Sequence, residues 1–160
     1  MKKTWMYILL LPAMAGLASG YCQGANQPAT ITLTTDNPTI KAGADVWVKV
    51  VMTNTSSDPI DCSVVSSNGA DRRYSFAVWG PTGAPLSRKP LKHPELEGGG
   101  SIHMCTLNPK DSTTAEENLL SRLFDLTEPG TYTVQLSRMF DVAGSQVRVK
   151  SNKLEIQVTP

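Results

Sequence analysis

Residues 122–137 read RLFDLTEPGTYTVQLS, a turn followed at once by a strand. Pro129-Gly130 breaks whatever precedes it, and from Thr131 the residues alternate, with Tyr132, Val134 and Leu136 on one face and Thr131, Thr133, Gln135 and Ser137 on the other. That is the period of an antiparallel strand with one face buried. A tyrosine two residues after the turn glycine can bury its ring in a sandwich core and return its hydroxyl to the backbone just upstream, the tyrosine corner of immunoglobulin-like domains. Gly130 and Tyr132 are therefore expected to shape an E–F corner, with strand F following.

Working outward, residues 112–126 fit two patterns. Thr113 and Glu116 match a capping box, and Leu119, Leu120, Leu123 and Phe124 fit a helical stripe, whereas a sandwich wants strand E there. The expectation is a strand from Ser112 to about Leu119 and one helical turn over Ser121 to Leu126. Downstream, Arg138 to Ser145 reads as a connection, and Gln146 to Val158 closes the domain. Upstream, Ile31 and Leu33 alternate with threonines. Val46, Val48, Val50 and Met52 alternate with Trp47, Lys49, Val51 and Thr53 in the strongest strand of the chain. The outward Trp47 and Val51 predict a face that is not fully wet. Tyr74, Phe76 and Val78 share one face of another strand, and short strands are expected over Ile60 to Ser66 and Ile102 to Leu107. Eight or nine strands with no long amphipathic helix make an all-β, immunoglobulin-like antiparallel sandwich.

The first twenty residues, MKKTWMYILLLPAMAGLASG, place Lys2 and Lys3 before an apolar run that ends in small side chains. This is the pattern of a cleaved secretory signal, too short and too broken by Pro12 for a permanent membrane span. The expected organisation is a signal peptide at 1–20, a flexible lead-in at 21–29 and the sandwich at 30–160. The protein is expected to be exported, periplasmic or extracellular. Without Lys2 and Lys3 the chain carries 13 basic and 14 acidic residues, interspersed, so no basic excess is available to attract nucleic acid.

Of Cys22, Cys62 and Cys105, the last two fall in strand-like runs and are the better pair for a disulfide in an oxidising compartment. Two reduced, buried thiols remain the alternative. Asn54-Thr55-Ser56 has the spacing of a glycan acceptor.

The run ITLTTDNPTIKAGADVWVKVVMTNTSSDPI (31–60), with LSRLFDLTEPGTYTVQLSR (120–138) and VKSNKLEIQVTP (149–160), resembles uncharacterised exported bacterial domains with an immunoglobulin-like sandwich. More loosely, V-x-V-x-x-T-N-x-S at 48–56 with PG-x-Y at 129–132 is similar to the intracellular proteinase inhibitor-like domains. The matching positions are Asn54, Gly130 and Tyr132, which shape the scaffold, and sandwiches host many unrelated activities. An inhibitory role is implied by the looser relative alone.

No chemistry is concentrated anywhere in the chain. Only His93 and His103 can serve as a base, no G-x-S-x-G turn occurs, and Glu95 and Glu97 sit on a proline- and glycine-rich loop. His103-Met104-Cys105 collects metal-ligand types, but on a strand Met104 points away from the other two. Copper binding therefore ranks third among the readings, no cofactor is expected, and the chain is not expected to be an enzyme. The segment free to have been chosen for recognition is Gly80 to Ser101, GPTGAPLSRKPLKHPELEGGGS, which has no sustained period. Leu86, Arg88, Lys89, Lys92 and His93 are its candidate contacts. The expected function is a non-enzymatic binding or structural module whose partner is a protein, a peptide or an envelope component. The alternative is a protease inhibitor acting through this loop.

Overall fold

The computed structural model describes residues 27–67, 70, 71, 73–90 and 101–160; the expected signal, most of the lead-in, Lys92 and His93 lie outside the described residues. The described elements are β1 (Ala29–Thr34), β2 (Thr39–Lys41), β3 (Trp47–Asn54), β4 (Ile60–Asp61), β5 (Val64–Ser67), β6 (Ala70–Asp71), β7 (Tyr74–Trp79), β8 (Ser101–His103), β9 (Thr106–Leu107), β10 (Glu116–Leu119), α1 (Leu120–Leu123), β11 (Gly130–Val142), β12 (Ser145–Lys150) and β13 (Leu154–Thr159). They form the all-β sandwich.

One sheet is β1-β3-β10, antiparallel throughout. The other is built on β11. Its register gives β7 one edge over 133–138, while β13 and β12 share the opposite edge over 130–134 and 137–142. β2 adds in parallel to β13. The first strand of the domain is thus divided between the sheets, β1 in one and β2 in the other, with the crossover at 35–38.

Alternation places the core as the periodicity requires. Val46, Val48, Val50 and Met52 are at most 1% exposed and meet Tyr132, Val134, Leu136 and Ile156 of the facing sheet in one cluster. Each such side chain stabilises by roughly 1.5–3 kcal/mol on burial. Ser151 and Asn152, between β12 and β13, tie the two sheets together. The Ser151 hydroxyl accepts from the Leu136 amide at 2.9 Å, and the Asn152 amide both accepts from Leu33 N at 2.7 Å and donates to Leu33 O at 3.0 Å.

At the E–F corner, the Tyr132 hydroxyl donates to the Glu128 carbonyl at 2.8 Å while its ring is buried. Burial is the main reason its pKa is raised; the carboxylates of Glu128 and Asp125 add to this, and the bond to the Glu128 carbonyl opposes it. Gly130 has φ +141°, and a Cβ there would stand 2.6 Å from Cβ of Pro81, so the turn and the 80–90 segment fit only around glycine. Tyr132→Phe should keep the ring packed but leave the carbonyl short of a donor. We expect a loss of about 1–3 kcal/mol in urea unfolding; an unchanged midpoint would make the hydroxyl dispensable.

Several boundaries differ from the sequence reading. β1 begins at Ala29, and Pro28 and Ala29 are already buried, with Pro28 O accepting from Thr55 N at 3.0 Å, so the lead-in ends before them. The strand expected over Ser112 to Leu119 is regular only from Glu116, because Ser112 makes a lone bridge to Thr53. The helical turn is Leu120–Leu123 rather than 121–126. Arg138 to Ser145 is not a connection. β11 continues to Val142 and returns through Ala143 and Gly144, both at positive φ (48° and 79°), in the two-residue turn that suits a twisted hairpin.

The described strand segments number thirteen rather than eight or nine. The excess arises from the divided first and last strands and from a ribbon outside the two sheets. In that ribbon β4 pairs β9 and β5 pairs β8 in one continuous register, and Cys62 bonds Cys105 where the two runs face each other, with Cα atoms 4.9 Å apart. The disulfide reading holds and the reduced alternative does not.

Asn54 ties the 54–58 loop to the body of the domain. It is 1% exposed; its amide donates to Asp58 O and Leu107 O, both at 2.9 Å, and accepts from Ser56 N at 2.9 Å and from the Ser56 hydroxyl at 2.7 Å. Both ends of the amide are engaged inside the protein, which leaves no nitrogen for a glycan.

Candidate functional site

The 80–101 segment has a docked first half. Gly80 and Gly83 close a tight turn (Gly83 N to Gly80 O, 2.8 Å), Pro85 bridges Trp79, and Leu86 N donates to Val78 O at 2.8 Å. Residues 84–86 so extend the β7 edge, and the Leu86 side chain packs on the core. Lys89 is the next anchor. Its amide donates to Leu123 O at 2.8 Å and its ammonium to Ser121 O at 3.0 Å, so it supplies donors to carbonyls that the single helical turn cannot satisfy.

The turn itself is riveted to the start of β3. Leu120 N donates to Val46 O (2.8 Å), Val46 N donates to the Ser121 hydroxyl (3.3 Å), and that hydroxyl donates to Asp45 Oδ1 (3.2 Å). Leu120, Leu123 and Phe124 are buried beneath. Between these parts lies a cleft of about 280 Å³ lined by Gly43, Ala44, Asp45, Lys89, Leu119, Ser121, Arg122, Leu126 and Thr127. Arg88, next to Lys89 in the chain, is exposed and is not among the lining residues. The fold therefore brings Lys89 of the expected loop together with Arg122, which the sequence reading passed over as part of a turn. Helical spacing was the available signal: Arg122 follows Leu119 and Leu120 and sits on the solvent side of the stripe they begin.

Of the other expected loop contacts, Arg88 is exposed and Leu86 is partly buried. A protease inhibitor would need Leu86 to Pro90 as a free extended strand. Here the segment is bonded at Leu86 and again at Lys89, and it follows the body of the domain.

The remaining chemistry is dispersed. Among the described residues, no three His, Cys, Asp or Glu side chains gather to hold a metal ion. The His103-Met104-Cys105 triplet is disqualified by its own geometry, because Cys105 is in the disulfide and Met104 is 83% exposed. Ser121 and Asp45 form a hydroxyl–carboxylate pair without a base, which can position but cannot activate.

At the far end of β11, Arg138 is 2% exposed. Its guanidinium donates to Ser63 O at 3.0 Å and Asp61 O at 3.3 Å and lies 5.5 Å from the Tyr74 ring centroid and 5.4 Å from that of Phe140. It holds the disulfide ribbon by the two carbonyls that flank Cys62. The Asp61 side chain faces outward, paired with Arg73 and accepting from Ser63 N at 2.7 Å. Partial burial would raise its pKa, but the bonds from Ser63 and the Arg73 guanidinium outweigh that and hold the carboxyl below its ordinary value. Arg138 and Asp61 are thus structural.

No family model and no curated protein matches the chain. Similar solved structures include the CARDB domain of a Pyrococcus furiosus protein in complex with di-metal ions (TM-score 0.43, 10% identity, 82% of this chain and 87% of that one). The sporulation control protein Spo0M of Bacillus subtilis gives TM-score 0.44 and 12% identity over 84% of this chain and 51% of that one. BslA, a bacterial hydrophobin, gives 0.39 and 11% over 86% and 99%. No residue of the cleft is inferred from any of them.

Proposed function

We propose that this chain is the non-enzymatic binding module of an exported protein, with residues 1–20 as its cleaved signal and a partner protein, peptide or envelope component engaging the cleft between Lys89 and Arg122. One observation carries the reading. The 86–89 segment is fixed to α1 by two bonds from Lys89, so a cleft lined by Lys89 and Arg122, with exposed Arg88 adjoining Lys89 in the chain, is held in place before any partner arrives. A cleft already ordered loses little conformational freedom on binding. The signal-like pattern of residues 1–20 supports this reading, and the disulfide is compatible with an oxidising compartment.

The test reverses exposed charge and leaves the anchors intact. Arg88→Glu with Arg122→Glu should leave the circular dichroism spectrum unchanged and reduce recovery of the partner from native envelope extract by at least about ten-fold, the effect of a lost charged contact at an interface. Equal recovery by parent and variant would remove the cleft from consideration. Deleting Leu86 to Glu97 is a poorer test, because Leu86 belongs to the core packing.

A further inference from the structure

We infer that the notch around Trp47 is a second docking site, for a lysine or arginine side chain of a basic peptide segment, which adjoins the basic cleft through Asp45 but takes a ligand of its own. The notch is a product of the divided first strand. β1 pairs with β3 only as far as Thr34 opposite Lys49, after which the chain crosses at 35–38 to the other sheet. Trp47, two residues beyond that last pair, loses the neighbour that would have covered its outward face. It is 47% exposed, the one exposed aromatic side chain among the described residues. A depression of about 190 Å³ opens beside it.

Its backbone is nonetheless rigid. Trp47 O accepts from the Thr35 hydroxyl at 2.8 Å, and on the other edge Trp47 stands in register with Leu119 of β10. The indole is presented by a framework that needs no rearrangement to bind.

The charges around it set the sign of the ligand. Asp36, Asp45 and Glu117 line the notch against a single cation, Lys49. Lys49 lies 2.5 Å from Asp36 and 4.0 Å from Glu117, so one ammonium is shared between two carboxylates and the notch keeps a negative excess. An incoming cation is attracted by that excess and by the face of the indole, while its alkyl stem covers the apolar ring. A lysine or arginine side chain has both parts. A neutral sugar would use the ring but gain nothing from the excess charge, and an acidic segment would be repelled.

The experiment follows the indole N–H resonance of Trp47, assigned with Trp47→Phe, while tetralysine, chitotetraose and tetraglutamate are each titrated into the full-length exported protein. Tetralysine should shift that resonance saturably, and the shift should weaken as salt rises from about 50 to 300 mM, over which the Debye length falls to about two-fifths. Trp47→Ala and the pair Asp36→Asn with Glu117→Gln should each lower tetralysine affinity at least about ten-fold with the remaining amide spectrum unchanged. Arg88→Glu with Arg122→Glu should not weaken it, which separates this site from the basic cleft. The inference is overturned if tetralysine leaves the resonance in place or if chitotetraose or tetraglutamate moves it at equal concentration. It is overturned equally if the Asp36/Glu117 variant binds like the parent, or if the resonance moves with protein concentration alone, which marks a second copy as occupant.

Discussion

Replacing Arg138 by alanine should cost about 3–5 kcal/mol, a large part of the stability of a domain this size. The substitution acts in three ways at once. It deprives the Asp61 and Ser63 carbonyls of a charged donor, removes the cation held between Tyr74 and Phe140, and opens a cavity beneath the ribbon. Arg138→Met fills most of that volume and isolates the polar part, for which about 1–3 kcal/mol is expected. Urea unfolding followed by tyrosine fluorescence reads both variants. A methionine variant equal to the parent would show that the two carbonyls are satisfied without the guanidinium, and would reduce Arg138 to a space-filler.

The second large effect belongs to the disulfide. Cys62→Ala with Cys105→Ala removes a link across 43 residues, and the chain-entropy model puts its contribution at about 4 kcal/mol. Because Arg138 grips the same ribbon, the losses should not add. The triple variant is expected to fall short of the sum by about 1 kcal/mol or more, since releasing either attachment frees the groups that the other holds. Strict additivity would mean that the ribbon is held at the two points independently. Reducing agent should reproduce the double-alanine result in the parent protein and do nothing to the variant.

Arg138 and the disulfide ribbon also show where sequence reading stops. The alternation of Val46, Val48, Val50 and Met52 was legible because every inward position is apolar. So was the corner, where Gly130 and Tyr132 stand at a fixed offset. Strand β11 was cut short on paper at the one inward position that carries a charge. Arg138 occupies the place where Tyr132, Val134 and Leu136 predict another apolar residue, and a period count has no means of crediting a guanidinium that finds carbonyls and rings from distant segments. The two runs of the ribbon and its cysteine pair were legible, but not that they stand apart from both sheets. The runs are short, and their partners are some forty residues apart along the chain.

The candidate site was legible by halves. Proline and glycine content marked 80–101 as irregular, which is true of hydrogen-bond period but not of attachment. Leu86 and Lys89 are fixed by bonds to Val78, Ser121 and Leu123 that no local pattern encodes. Trp47 was correctly placed outward. What sequence could not supply was the strand crossover that uncovers it, since a crossover is decided by which sheet accepts residues 39–41.

The amide of Asn152 has a further consequence. A sheet ends wherever a strand has no neighbour, and the unpaired N–H and C=O there are a template on which any other extended chain can assemble, including the same strand of a second molecule. At Leu33 both groups are taken, the N–H by Oδ1 and the C=O by Nδ2 of one side chain that reaches across from the opposite sheet. A single asparagine therefore imitates one residue of a neighbouring strand and ends the template with a group that cannot be extended. That plug guards the outer edge of β1 against pairing with the same strand of a second molecule.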